Sequence, residues 1–127
     1  MIHLLVVSHG NFAEGLLDSV SMISGEHEGL DHLSLARGMG VDEFTDAFAV
    51  WLDAHPGVQV LVLADMIGGS PFNVAARAAH ENERVSLWYG VNLSILLDAL
   101  NKRGSDMDAL LQHLKKVAPL SAGHAQL

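Results

Sequence analysis

The sequence predicts an α/β fold in which a doubly wound, mainly parallel four-stranded sheet is flanked by helices. Short aliphatic runs of strand length alternate along the chain with longer segments in which apolar residues recur every three or four positions. The first run is apolar at consecutive positions, which is typical of a strand buried on both faces of a parallel sheet. No repeat, low-complexity tract or linker interrupts this alternation in 127 residues, so we expect one domain over residues 1–127.

The first half of the chain predicts two strand–helix pairs. Residues 2–7 form the first strand, because this apolar run is too short for a helix. Asn11 is expected to cap the following helix, with Glu14 three residues later, and Gly25 ends that helix. A weaker second strand and a second amphipathic helix are indicated by the apolar residues Leu30, Leu33, Leu35, Phe44, Phe48, Trp51 and Leu52.

The second half of the chain predicts two further strands and three helices. Residues 58–63 form the third strand, which leads into a glycine turn. Ser70 is expected to cap the next helix, and Pro71 to be its first residue. Residues 85–89 form the fourth strand, followed by a short helix, and the last helix is expected to open at Ser105.

The composition excludes several classes of function. Seven Lys and Arg against fifteen Asp and Glu give a formal net charge of −8, the wrong sign for a protein that binds nucleic acid. The absence of cysteine excludes disulfides, thiolate metal sites and thiol catalysis. The N-terminus has no basic leader or cleavage site, and no apolar run approaches the ~18 residues of a membrane helix. We therefore expect a cytoplasmic protein.

Polar side chains follow three of the predicted strands at their carboxyl ends, where ligands bind in open α/β sheets. These polar clusters are Ser8-His9-Gly10, Asp65 with Gly68-Gly69-Ser70, and Gly90-Val91-Asn92. If the first and third strands are neighbours, His9 and Asp65 leave the sheet side by side. A single sequence does not fix strand order, so this adjacency is an assumption of the prediction.

A histidine beside a carboxylate suits phosphoryl transfer. A neutral imidazole is nucleophilic toward phosphorus when one ring nitrogen faces the donor and the other gives its hydrogen to a carboxylate. His9 would be the phosphorylated nucleophile, and Asp65 would orient it. The phosphoryl oxygens would be bound by backbone N–H groups and a hydroxyl group at Gly10, Gly68, Gly69 and Ser70. This chemistry requires neither a metal nor a cofactor.

Each of these features also has a purely structural interpretation. A histidine after a buried strand is often a hydrogen-bonded structural residue, Asp65 suits a turn, and Gly-Gly-Ser-Pro alone is a good turn sequence. Their coincidence at one predicted edge of the sheet is what favours a functional site. The other seven histidines lack the spacing of metal ligands. His27 and His32, for example, are five residues apart and would not share a helix face, so no metal site is expected.

Four motifs of the sequence occur together in a known family. They are the strand leading into Ser8-His9-Gly10, the helix end Met22-Ile23-Ser24-Gly25-Glu26, the stretch Asp65-Met66-Ile67-Gly68-Gly69-Ser70-Pro71-Phe72-Asn73, and Gly90-Val91-Asn92-Leu93. Through these motifs the chain resembles, over residues 2–100, the IIA component of the mannose family of the bacterial sugar phosphotransferase system (PTS). The third motif is the most specific of the four.

The resemblance implies a phosphotransferase of this system. His9 would accept a phosphoryl group from the phosphocarrier protein HPr and pass it to a IIB component on a separate chain, for sugar uptake through the membrane components IIC and IID. Asp65 would match the carboxylate beside the active histidine, and Ser70 the hydroxyl group near the phosphoryl group. Family members are commonly homodimers with an exchanged antiparallel edge strand from the C-terminal part. Some members carry a bulky aromatic residue where this sequence has Ile67.

Three alternatives remain open at this point. The related phosphotransfer subunit of dihydroxyacetone kinase shares the fold and an N-terminal histidine, although the Gly-Gly-Ser-Pro-Phe-Asn motif argues against it. A regulatory module would use phosphorylated His9 to bind a partner, without transport. A flavodoxin-like ligand-binding domain would involve no covalent chemistry. The sequence determines neither the sugar nor the ring nitrogen of His9 that carries the phosphoryl group.

Overall fold

The computed structural model describes every residue from Met1 to Leu127 and confirms the predicted α/β fold. The elements in chain order are β1 (His3–His9), α1 (Phe12–Ser24), β2 (Leu30–Leu35), α2 (Val41–Asp53), β3 (Val60–Ala64), α3 (Ser70–Glu81), β4 (Val85–Tyr89), α4 (Leu93–Lys102) and α5 (Met107–Val117). A 3-10 turn, Ala118–Leu120, follows α5. None of the helices has both the length and the apolar character needed to cross a lipid bilayer.

All strand pairs in the sheet are parallel, and the strand order is β2-β1-β3-β4. β1 is therefore hydrogen-bonded to β2 on one side and to β3 on the other, which confirms that the first and third strands are neighbours. Val7 lies opposite Ala64 in this pairing, so the residues just beyond them leave the sheet together. The exchanged antiparallel strand of the family is not formed within the single chain, in which residues 121–127 have no regular structure.

Helices cover both faces of the sheet, because alternate residues of β1 point to opposite faces. Leu4 and Val6 belong to the core formed with α1, α4 and α5, whereas Leu5 and Val7 belong to the core formed with α2 and α3. The whole of β3 is inaccessible to solvent, as are residues 4–8 of β1. The two strands that lead to the polar edge are thus fixed by packing on both sides.

Three helices begin differently from the prediction, α1 and α5 as described here and α3 at the site below. At α1, the N–H of Ala13 donates to Oγ of Ser8 at 2.8 Å, and Asn11 makes no side-chain cap. Ser8 is completely buried, so its hydroxyl group needs a partner, and the first turn of α1 provides one. At α5, the capping side chain is that of Asp106, one residue after Ser105. The bond from Ala13 to Ser8 ties the end of β1 to α1 immediately before His9.

Candidate active site

His9 and Asp65 form a close pair at the carboxyl edge of the sheet. Nδ1 of His9 lies 2.6 Å from Oδ2 of Asp65, and the backbone N–H of His9 donates to the same oxygen at 2.9 Å. One carboxylate oxygen therefore holds both the ring and the main chain of His9. The side chain of His9 is 47% exposed, whereas that of Asp65 is 14% exposed. The ring is thus open to solvent while its partner is mostly covered.

The pKa of Asp65 is held below its usual value by this arrangement. Burial alone raises the pKa of the carboxyl group, but the hydrogen bonds from the main chain and ring of His9 outweigh burial. The N–H of Met66 adds a third bond, to Oδ1 at 2.9 Å. The carboxylate is therefore ionised at neutral pH and can only accept hydrogen bonds. A neutral His9 ring then carries its hydrogen on Nδ1, which leaves the free lone pair on Nε2.

The lowered pKa of Asp65 predicts a contribution to the pH dependence of stability. Because the pKa in the folded state lies below the ordinary value of 3.8, this group stabilises the native state above that pH and ceases to do so as the pH falls through the folded-state pKa. Asp65→Asn removes the titration, so its free energy of unfolding should fall less steeply than that of the wild type as the pH is lowered from about 5 to about 2. Denaturation at a series of pH values measures both slopes, and parallel curves would contradict the account.

The loop between β3 and α3 presents unused donors beside this pair. Gly68 has a φ of +83°, a left-handed conformation that favours glycine, and its carbonyl oxygen accepts from Nδ2 of Asn73 at 3.3 Å. The N–H groups of Gly68 and Gly69 make no backbone hydrogen bond. Gly69, rather than the predicted Ser70, occupies the N-cap of α3, so the hydroxyl group of Ser70 does not cap the helix. With no acidic residue in its first turn, α3 presents an electropositive end to an anion.

The N–H of Gly10, which the sequence predicts to bind phosphoryl oxygens, already has a hydrogen-bond partner in the structure. This N–H donates to the carbonyl oxygen of Leu35 at 2.9 Å. The bond continues the pairing of β1 with β2, in which His9 lies opposite Leu35. Gly10 has a φ of +54°, so the left-handed turn from β1 into α1 explains the glycine at this position.

Exposed apolar side chains occur near His9 in the sequence and in the β3–α3 loop. Phe12 is 47% exposed, and Met66 and Ile67 are each 56% exposed. The three principal cavities, of about 240, 790 and 420 Å³, are lined by residues other than His9 and Asp65. An accessible ring near an apolar surface suits contact with another protein better than enclosure of a small molecule.

Three contacts at the site were not predicted from the sequence. Ser8 anchors α1, Asn73 holds the Gly68 carbonyl group, and Gly69 packs against the His9 ring. A serine within an otherwise apolar strand was the available signal for Ser8. No local signal marks the other two, because both contacts depend on how the loop folds back toward β1. Nowhere in the chain are three or more His, Asp or Glu side chains arranged to hold a metal ion.

Comparison with known sequences supports the resemblance. The protein family EIIA-man, described as PTS system fructose IIA component, matches residues 3–116. The fructose-specific EIIA component of Bacillus subtilis (strain 168) is 34% identical over 123 residues, which are 95% of this chain and 84% of that protein. The mannose-specific EIIAB component of Escherichia coli (strain K12) is 32% identical over 108 residues, which are 83% of this chain and only 33% of that longer protein.

Comparison with solved structures agrees with the sequence match. The mannose/sorbose specific IIA subunit from Enterococcus faecalis superposes with a TM-score of 0.91 at 30% identity, covering 98% of this chain and 95% of that chain. The structural match therefore extends into the C-terminal region, beyond the motifs that carry the sequence resemblance. Together with the family match over residues 3–116, it shows that the chain belongs to the EIIA-man family, the sugar-specific IIA components of the PTS.

Proposed function

We propose that this protein is a phosphoryl relay in which Nε2 of His9 accepts a phosphoryl group from HPr and passes it to a IIB component. The observation that carries the proposal is the 2.6 Å contact between Nδ1 of His9 and the ionised Asp65. It fixes the tautomer in which the nucleophilic lone pair lies on Nε2. Membership of the family supports a role in sugar phosphotransfer, and the contact with Asp65 supports His9 as the nucleophile.

The transfer step forms one bond and breaks another. The lone pair on Nε2 attacks the phosphorus atom, and the bond from phosphorus to the donor histidine breaks, its electron pair returning to the donor ring. Positive charge develops on the His9 ring because Nδ1 keeps its hydrogen, and the Asp65 carboxylate stabilises this charge. Transfer to IIB breaks the new N–P bond and returns its electron pair to Nε2, so the relay regains its starting state.

Neutral donors in the β3–α3 loop would hold the phosphoryl oxygens. These are the N–H groups of Gly68 and Gly69, the hydroxyl group of Ser70 and the N-terminus of α3. A lysine or arginine would bind the dianion more strongly in the ground state, and such binding would oppose its release to IIB. A set of neutral donors therefore suits a protein that must both accept and release the phosphoryl group. The proposed transfer requires no cofactor.

The remaining parts of the proposal concern assembly and location. Residues 1–127 would act as one EIIA domain in the cytoplasm, reaching the membrane only through IIC and IID. A homodimer would cover the exposed edge of β4, which borders a cavity of about 790 Å³ lined in part by Tyr89, Lys115 and Ser121. Leu120, beside this cavity in the chain, is 84% exposed. The C-terminal residues of a second copy would cover this apolar edge.

A labelling experiment tests the proposed function. Incubation with phosphoenolpyruvate, enzyme I and HPr should add the mass of one phosphoryl group, and the modification should be labile to acid and stable to base, as expected for phosphohistidine. Addition of a separately prepared IIB component should then remove it. No mass increase under conditions that phosphorylate HPr would contradict the proposal. Acceptance from HPr without release to IIB would instead favour a regulatory module.

A further inference from the structure

Gly69 lies directly against the His9 ring. A Cβ atom at this position would lie 2.8 Å from Cε1 and 3.4 Å from Nε2 of His9, and 3.4 Å from Cγ of Met66. Non-bonded carbon atoms are in optimal contact at about 3.5–4.0 Å, so even a methyl group would force one of the partners to move. The closest ring atom, Cε1, is bonded to Nε2, the proposed nucleophile.

The backbone of Gly69 does not itself require glycine. Its φ of −74° and ψ of 164° lie in the extended region, which any residue adopts. Gly68 shows the opposite situation, because its φ is +83° and an added Cβ would meet nothing within 4 Å. Gly68 therefore satisfies a backbone conformation, whereas Gly69 leaves space for the ring of His9.

We infer that Gly69 is a positioning residue that sets the distance between the β3–α3 loop and the His9 ring. The inference rests on the proposed function of His9 and deepens it. Asp65 holds the ring through Nδ1, and Asn73 fastens the loop, because its N–H donates to the carbonyl oxygen of Gly69 at 2.9 Å and its side chain to that of Gly68. The missing side chain at position 69 lets the loop approach Nε2.

A methyl group at position 69 should displace the ring rather than the loop, because the half-exposed side chain of His9 moves more easily than a hydrogen-bonded backbone. Relief of the 2.8 Å contact requires a shift of about 0.7 Å or more. A misplacement of about 1 Å can slow a positioned reaction about 100-fold. We therefore expect Gly69→Ala to accept the phosphoryl group from HPr about 10- to 100-fold more slowly than the wild type.

Gly104→Ala is the matched control. An added Cβ at Gly104 meets nothing within 4 Å, and this glycine is not in the left-handed conformation. Both variants should unfold close to the wild-type midpoint temperature, and Gly104→Ala should be phosphorylated at the wild-type rate. A Gly69→Ala protein that unfolds would contradict the inference, because the methyl group would then have disturbed the loop instead of the ring. Equal rates in the two variants would overturn it as well.

A second measurement separates this inference from the proposed function. ¹⁵N NMR of the unphosphorylated protein at a pH where His9 is neutral should show hydrogen on Nδ1 alone in the wild type. In Gly69→Ala the displaced ring should lose part of this preference, whereas Gly104→Ala should keep it. An unchanged tautomer in Gly69→Ala would overturn the positioning role even if HPr labels the protein. A wild type that HPr cannot label would refute the proposed function and leave the tautomer comparison valid.

Discussion

His9→Gln should accept no measurable phosphoryl group from phosphorylated HPr, a loss of at least about 1000-fold. The polar end of a glutamine side chain lies about as far from the backbone as the ring nitrogens of histidine. Its amide nitrogen, however, offers no lone pair to attack phosphorus. The side chain of His9 is 47% exposed and lies at the end of β1, so the substitution should leave the core intact. The rate of mass increase in the presence of enzyme I, phosphoenolpyruvate and HPr measures the effect.

His113→Gln is the matched control for this variant. Nε2 of His113 lies 2.9 Å from Oδ1 of Asp98, a histidine–aspartate pair of comparable distance between α4 and α5. Both residues of that pair are in helices, and neither belongs to a strand end or to the β3–α3 loop. His113→Gln should therefore be phosphorylated like the wild type. Labelling of His9→Gln at the wild-type rate would show that another residue accepts the phosphoryl group.

Asp65→Asn should slow phosphoryl acceptance about 100-fold while the fold is retained. The asparagine carbonyl can still accept the backbone N–H of His9, which Asp65 accepts at 2.9 Å. Its NH₂ group would then take the place of Oδ1 and face the N–H of Met66, donor against donor, so the amide holds the His9 ring less firmly than the carboxylate does. The neutral amide also provides no compensation for positive charge on the ring. Single-turnover transfer from HPr measures the rate.

Asp98→Asn serves as the control for the aspartate substitution, because Asp98 pairs with His113 between α4 and α5 and not with His9. It should transfer at the wild-type rate. Equal rates for Asp65→Asn and the wild type would show that the carboxylate neither orients His9 nor stabilises its charge. A slow rate with an unchanged tautomer by ¹⁵N NMR would assign the effect to charge alone.

The parts of the fold that depend on local sequence were predictable. The consecutive apolar residues of β1 and β3 are typical of buried parallel strands, and both strands are fully buried over most of their length. The meeting of His9 with Asp65 required the strand order, which a single sequence does not contain. In the structure, the pairing of Val7 with Ala64 shows that β1 and β3 are neighbours.

The donors around the site were less predictable, because they depend on strand pairing and on the residue at which a helix begins. The N–H of Gly10 is occupied by Leu35, a residue of the neighbouring strand β2, so a glycine that suits a phosphoryl site by local pattern is not available to it. Ser70 was expected to cap α3, yet the extended backbone of Gly69 places the cap one residue earlier. Whether a donor is free is decided by strand pairing and helix register, not by residue type.

The ring nitrogen that carries the phosphoryl group is the most direct test of this account. Uniformly ¹⁵N-labelled protein, phosphorylated through HPr, can be examined by ³¹P and ¹⁵N NMR to identify the nitrogen bonded to phosphorus. We expect a single phosphohistidine at His9, with phosphorus on Nε2 and hydrogen on Nδ1 facing Asp65. Phosphorus on Nδ1 of His9, or on any other residue, would contradict it.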